Sequence, residues 1–140
     1  MSTHRGGCHC GNLRLTLRLT QSPDQVRLRA CGCSFCRANK TRTASDPNGA
    51  VEIWADNWDD VSDYRFGTAT ADFVICRRCG IYLGAKCETP EGTRMVVNTN
   101  CLEDRAAFSG APAPTDHDGE SVESRIARRA ANWTPTVVHR

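Results

Sequence analysis

The residues best suited to chemistry in this chain are cysteines, and most of its nine cysteines fall into three tight groups. The spacing C-x-C in an extended segment places two sulfurs on the same side of the chain, and C-x-x-C does so across a tight turn. Thiolates grouped in this way are the ligands that a soft tetrahedral metal such as zinc requires. The pattern therefore predicts metal binding. The groups are Cys8 and Cys10, then Cys31, Cys33 and Cys36, then Cys76 and Cys79.

The grouped sulfurs do not divide evenly into tetrahedral sites. They fill one closed site of four cysteines and leave three cysteines with an open coordination position, where a metal can do chemistry. The economical arrangement joins Cys8 and Cys10 with the distant pair at Cys76 and Cys79. The residues also allow Cys33 and Cys36 to complete the first pair, so spacing leaves both arrangements open.

Size and composition indicate one small domain without a nucleic-acid surface. The 140 residues predict a single zinc-binding domain over 1–140, and the 6% aromatic content predicts a thin core that bound metal would stabilise. The net charge is only +2 with both signs scattered, which argues against nucleic-acid binding. No apolar leader or long apolar run occurs, so we expect a cytoplasmic protein that does not enter a membrane. Reducing conditions there favour metal-bound cysteines over disulfides.

The elements that must position these cysteines are mostly strands. Leucines alternate with polar residues over 13–19, and apolar residues alternate with arginines over 26–30, with turn residues at 21–24 between them. This pattern predicts a β-hairpin that leads directly into Cys31. Further strands are predicted at Ala50–Ala55, Phe73–Ile75, Ile81–Ala85 and Arg94–Asn98.

The rest of the chain predicts little helix. A short helical turn is expected from Cys36, and a loop over 110–119, which is rich in Ala, Pro and Asp. Apolar residues at helical spacing then predict a helix over 120–132, capped by Ser121 or Asp118. The class is mainly β with a short C-terminal helix. We expect the arginines of that helix to form a solvated face: Arg125, Arg128 and Arg129.

Three segments of the chain carry a family resemblance. They are Gly7–Gly11, Cys31–Arg37 and Phe73–Gly80. In this order they resemble the motifs of the glutathione-dependent formaldehyde-activating enzyme family. The resembling core runs over 5–105 and leaves 106–140 as a tail. The resemblance implies an Mss4-like fold of coiled β-sheets around a structural zinc site.

The resemblance also implies roles for the cysteines and about two zinc ions per chain. In the family, glutathione engages the second site, and its sulfur adds to formaldehyde to give S-hydroxymethylglutathione. The reverse reaction cleaves a carbon–sulfur bond, so the implied activity is that of a carbon–sulfur lyase with a small thiol and an aldehyde as partners. The implied structural site is Cys8, Cys10, Cys76 and Cys79, and the implied catalytic site is Cys31, Cys33 and Cys36.

The chemistry of a three-thiolate site agrees with such a reaction. Three protein thiolates weaken zinc as a Lewis acid but leave a bound thiolate nucleophilic, so we expect presentation of sulfur to an aldehyde rather than activation of water. Arg37 lies next to the loop. It could bind a carboxylate of a glutathione-like ligand or, as the simpler alternative, balance the thiolate charge.

Two other functions compete with the lyase interpretation. One is a non-enzymatic binding module stabilised by zinc. The other is a thiol enzyme like methionine sulfoxide reductase using Cys101, although that enzyme has two C-x-x-C pairs where this chain begins with C-x-C. Isolated Cys87 and Cys101 are otherwise expected to be small buried residues. His9, between two predicted ligands, is expected to point away from their sulfurs.

Overall fold

A computed structural model of the protein describes all residues 1–140, and strands dominate it. The two helices are α1 (Ser34–Asn39) and α2 (Val122–Asn132). The mainly β class with a C-terminal helix is therefore confirmed, with α1 as a second, shorter helix. No helix has the length and apolar character needed to span a membrane. The strands are β1 (Ser2–Gly7), β2 (Leu13–Leu19), β3 (Arg29–Cys31), β4 (Thr43–Ala44), β5 (Ala50–Ala55), β6 (Val61–Tyr64), β7 (Asp72–Cys76), β8 (Tyr82–Thr89), β9 (Gly92–Asn98), β10 (Ala113–Thr115) and β11 (Thr134–His139).

The strands form one connected sheet in which β11 joins two halves. In the first half, β2 lies between β1 and β5. In the second, β9 pairs with β4 and β8, and the meander continues through β7 to β6. β11 pairs parallel with β5 and antiparallel with β9, so the last strand of the chain completes the sheet.

The period of two in β2 determines the centre of the core. Leu13, Leu15, Leu17 and Leu19 are all buried, while the intervening residues face outward, as predicted. They pack with Val51 and Ile53 of the neighbouring β5. Burying one such leucine contributes about 1.5–3 kcal/mol, so this face alone is a major source of stability.

The predicted hairpin into Cys31 is wrong. Both edges of β2 are occupied by β1 and β5, whereas β3 pairs with β4 and β10. Val26 and Leu28 are buried, as their alternation indicated. Alternation identifies the buried face of a segment but not its partner strand, which is why the pairing was missed.

Two local predictions near the cysteines also need correction. Helix α1 begins at Ser34 rather than at Cys36, because Cys33 caps it. The segment 110–119, predicted as a loop, contains β10, which pairs in parallel with β3. β10 is an edge strand with a central proline, Pro114, a position where a missing N–H is tolerated.

Helix α2 begins as predicted, but its arginines do not form a solvated face. The Ser121 side chain accepts a hydrogen bond from the Ser124 N–H at 3.1 Å. Arg129 is only 7% exposed, with its guanidinium 4.8 Å from the centre of the Trp133 ring. It donates a hydrogen bond to Thr70 at 2.8 Å. The prediction failed because the long stem of an arginine can cover apolar surface where a helix packs on a sheet. Arg125 and Arg128 are also largely covered and lie beside Glu120.

We expect Arg129→Ala to lower the free energy of unfolding by about 2–3 kcal/mol, since it removes the cover of Trp133 and leaves a cavity. Urea titration followed by circular dichroism measures the change. Arg14→Ala is the matched control, because the Arg14–Asp56 ion pair is exposed and its loss should change the free energy by less than about 1 kcal/mol. Equal effects of the two changes would contradict a packing role for Arg129.

Candidate metal centres and active site

The first candidate metal centre is the four-cysteine cluster, made of Cys8, Cys10, Cys76 and Cys79. Their sulfurs all lie within 4.8 Å of one another. The Cys8–Cys10 and Cys10–Cys76 sulfur distances are 3.6 and 3.5 Å. A tetrahedral zinc site with Zn–S bonds near 2.3 Å has sulfur–sulfur edges of about 3.8 Å, so the donor set fits zinc.

Two glycine turns give this cluster its shape. Gly11 and Gly80 each follow a cysteine pair and have φ values of +86° and +79°, which glycine adopts without strain. The Gly80 N–H donates to the Cys76 carbonyl at 2.8 Å, and the Leu13 N–H donates to the Cys8 sulfur at 3.2 Å. These bonds direct both pairs toward a common point.

The four-cysteine cluster connects distant parts of the chain and lies against the core. It joins the loop after β1 to the end of β7, and Cys76 is fully buried. Burial raises the pKa of Cys8 to about 11. At Cys79 burial also raises the pKa, but hydrogen bonds from the Cys10 and Ile81 N–H groups outweigh it and lower the value to about 6. The cluster thus combines a thiol that favours its protonated form, Cys8, with one that favours its thiolate form, Cys79.

The second candidate centre is the three-cysteine cluster, made of Cys31, Cys33 and Cys36. Its sulfurs also lie within 4.8 Å of one another. Cys31 ends β3, and the Cys33 sulfur caps α1 by accepting from the Cys36 N–H at 3.4 Å. Cys36 is buried, whereas Cys31 and Cys33 are half-buried. One loop therefore brings together three sulfurs, two of them half-buried and one buried, with no fourth protein ligand in the group.

The environment of this cluster favours the thiolate form of Cys31. A hydrogen bond from Cys36, against the effect of burial, lowers the pKa of Cys31 to about 5. The same bond and burial raise the pKa of Cys36, and Thr41 partly offsets that rise. The Thr41 hydroxyl is buried and has no hydrogen-bond partner, so it is available to a deprotonated Cys36. These residues fit a site that becomes fully deprotonated when it binds a metal ion.

His117 is a candidate functional residue that sequence reasoning missed. Thr115 is paired with Cys31, and its carbonyl accepts from the Gly32 N–H at 2.8 Å, which brings His117 near the three-cysteine cluster. The pKa of His117 is lowered by burial and by the charge of Arg128, and His117 in turn lowers the pKa of Cys31. Nothing in the loop-like composition of 110–119 indicated that it pairs with β3.

The other residues that the sequence analysis singled out lie outside both cysteine clusters. Arg37 is exposed on α1 and forms no ion pair within the chain, so its role as a carboxylate ligand or a balancing charge stays a prediction. His9 is exposed and lies outside the group of four sulfurs, as expected. Cys87 is buried, also as expected.

Cys101 is half-buried rather than buried as expected, but it has the character of a structural thiol. It donates a hydrogen bond to the Tyr82 carbonyl at 3.1 Å, and burial raises its pKa to about 12. A thiol with this pKa is protonated at neutral pH, whereas the nucleophilic species is the thiolate. This environment disfavours a reductase that would use Cys101.

A cleft of about 470 Å³ lies beside the four-cysteine cluster rather than the three-cysteine cluster. Its lining includes Cys8, His9, Asn39 and Asn100. None of the three loop cysteines lines it. Cleft volume therefore does not identify the reactive centre, and the open group of three sulfurs is the stronger criterion.

Comparison with known proteins agrees with the pattern of the two clusters. The family model described as glutathione-dependent formaldehyde-activating enzyme matches residues 3–117, which include both clusters. The chain belongs to this family. The match continues beyond the core at 5–105 that the motifs indicated, and it includes β10 and His117.

The fold of this family member agrees with a solved structure. The crystal structure of a Rhodobacter sphaeroides protein aligns with a TM-score of 0.56 and 28% sequence identity. The alignment covers 79% of this chain and 99% of that chain. With its mainly β architecture and its cysteine clusters, the chain has the Mss4-like fold that the motifs implied.

Proposed function

We propose that this protein is a zinc-dependent carbon–sulfur lyase or synthase. Its substrates would be a thiol, glutathione or one similar to it, and a small aldehyde such as formaldehyde. The observation that carries the proposal is the division of the clustered cysteines into a group of four sulfurs, enough for a complete tetrahedral site, and a group of three, which leaves one position open. Membership of the family supports the substrate class.

The roles follow from the number of sulfurs in each cluster and from its position in the fold. The four-cysteine cluster would hold a structural zinc ion, because it connects distant strands beside the core. The three-cysteine cluster would hold the catalytic zinc ion. Arg37 would bind a carboxylate of the thiol substrate from the exposed face of α1. We place the protein in the cytoplasm, where thiols remain reduced.

The reaction conserves all atoms and needs no oxidant or reductant. Cys31, Cys33 and Cys36 would hold the zinc ion, and zinc held by three thiolates would favour the deprotonated form of a substrate thiol. The sulfur attacks the carbonyl carbon, the carbonyl electron pair moves to oxygen, and that oxygen takes up the proton which the thiol released. His117, which β10 brings near Cys31, would carry this proton. The reverse sequence cleaves the carbon–sulfur bond.

The test is zinc stoichiometry combined with X-ray absorption, before and after addition of glutathione. We expect about two zinc ions per chain, one of them readily chelated and gaining a sulfur ligand when glutathione is added. S-methylglutathione is the control ligand, because it has no free thiol and should leave the spectrum unchanged. Zinc that is uniformly inert to chelators and unaffected by thiol would instead support a non-enzymatic zinc module.

A further inference from the structure

An aromatic wall lies beside the three-cysteine cluster. We use this name for five of the chain's six phenylalanine and tyrosine residues. The ring of Phe35 is at the centre, with ring-centre distances of 4.8 to 5.9 Å to each of the other four. The members of the wall are Phe35, Tyr64, Phe66, Phe73 and Tyr82.

The wall is continuous with the candidate reactive centre. Phe35 lies between Cys33 and Cys36 in the first turn of α1. Tyr82 contacts the Phe35 ring edge to face at 4.9 Å. The aromatic wall therefore begins within the cysteine loop, at Phe35, and extends onto the start of β8, at Tyr82.

Part of the wall faces solvent. Tyr64 is 47% exposed, and Phe35, Phe66 and Phe73 are half-buried. Phe73 and Tyr82, from β7 and β8, pack edge to face against Phe35 with ring centres 4.8 and 4.9 Å away. Tyr64 and Phe66 extend the surface outward instead, and neither belongs to a buried core cluster. Contiguous exposed aromatic surface beside a reactive centre is typical of a ligand site.

We propose that the aldehyde substrate carries an apolar, preferably aromatic, substituent that packs against the aromatic wall. This inference rests on the proposed function and narrows its substrate class. Formaldehyde has one carbon and leaves the wall empty. Glutathione is polar, so the apolar group belongs to the aldehyde. The reaction is unchanged: the thiol sulfur bonds to the carbonyl carbon, and the thiol proton moves to the carbonyl oxygen.

Turnover tests the inference through selectivity. Exchange NMR would measure kcat/KM for glutathione with phenylacetaldehyde and with formaldehyde. In the double variant Tyr64→Ala, Phe66→Ala we expect the ratio of the two values to fall about tenfold, because two aromatic contacts are lost. Tyr64→Phe keeps the ring and should keep the ratio. An unchanged ratio in the double variant, with or without a lower melting temperature, would overturn the inference.

A binding measurement separates this inference from the proposed function. Calorimetry would compare S-(2-phenylethyl)glutathione with S-methylglutathione. We expect the phenylethyl compound to bind the wild-type protein about tenfold more tightly and to lose this advantage in the double variant. If this binding preference is found but neither aldehyde is turned over, the aromatic wall is supported as an apolar binding site and the proposed lyase function is refuted. If the protein turns over formaldehyde but binds the phenylethyl compound no more tightly than S-methylglutathione, the aromatic wall is not a substrate site. The same conclusion would follow if the wild-type protein were a dimer and the double variant a monomer.

Discussion

Replacing Cys76 by serine is expected to leave the chain largely unfolded at 25 °C. Cys76 is fully buried, ends β7 and lies in both the main core and the four-cysteine cluster. A structural zinc site contributes on the order of 10 kcal/mol, which is comparable to the whole stability of a small domain. A serine hydroxyl is a poor replacement for a thiolate ligand and would also be buried without a partner.

Far-UV circular dichroism and zinc content would measure this loss. Cys87→Ser is the matched control, because Cys87 is equally buried but lies outside both clusters. It should cost about 1–3 kcal/mol and leave the metal content unchanged. If Cys76→Ser melted within a few degrees of Cys87→Ser and kept its zinc, the four-cysteine cluster would have no structural role.

The sequence was most informative where one residue pattern has one physical cause. Alternating leucines in β2 required a buried face whatever their partner strand, so the strand and its core were predictable. The hairpin into Cys31 was not, because alternation contains no information about pairing. The spacing of the cysteines left two ways of grouping them open. The family resemblance implied that Cys8 and Cys10 join Cys76 and Cys79, and the structure brings these four sulfurs together.

The two strands in the tail at 106–140 could not be predicted, for a different reason. β10 has only three residues, and β10 and β11 each contain a proline, Pro114 or Pro135. Proline lowers the expectation of a strand, but both segments find pairing positions only within the finished sheet. This is also why His117 was missed, since its approach to Cys31 depends on β10. Local patterns thus identified the ligand groups but not the residues that tertiary structure brings to them.

Replacing Cys33 by serine is expected to remove catalysis while the fold remains. Cys33 is half-buried, belongs to neither core cluster and serves as the cap of α1. Serine is a preferred N-cap residue, so the helix should persist. Changes to residues that only support a metal ligand lower activity or affinity 10- to 100-fold, so loss of a ligand itself should lower kcat/KM by at least about 100-fold.

Three measurements on Cys33→Ser test this division of labour between the clusters. Turnover by exchange NMR should be lost, zinc content should fall from about two to about one per chain, and the melting temperature should stay within a few degrees. Ser34→Ala is the control, because Ser34 lies in the same turn but offers no thiolate. Unfolding of Cys33→Ser to the same extent as Cys76→Ser would mean that the two clusters share one structural role. Retained fold with lost zinc and lost turnover requires that the open cluster of three, and not the closed cluster of four, performs the chemistry.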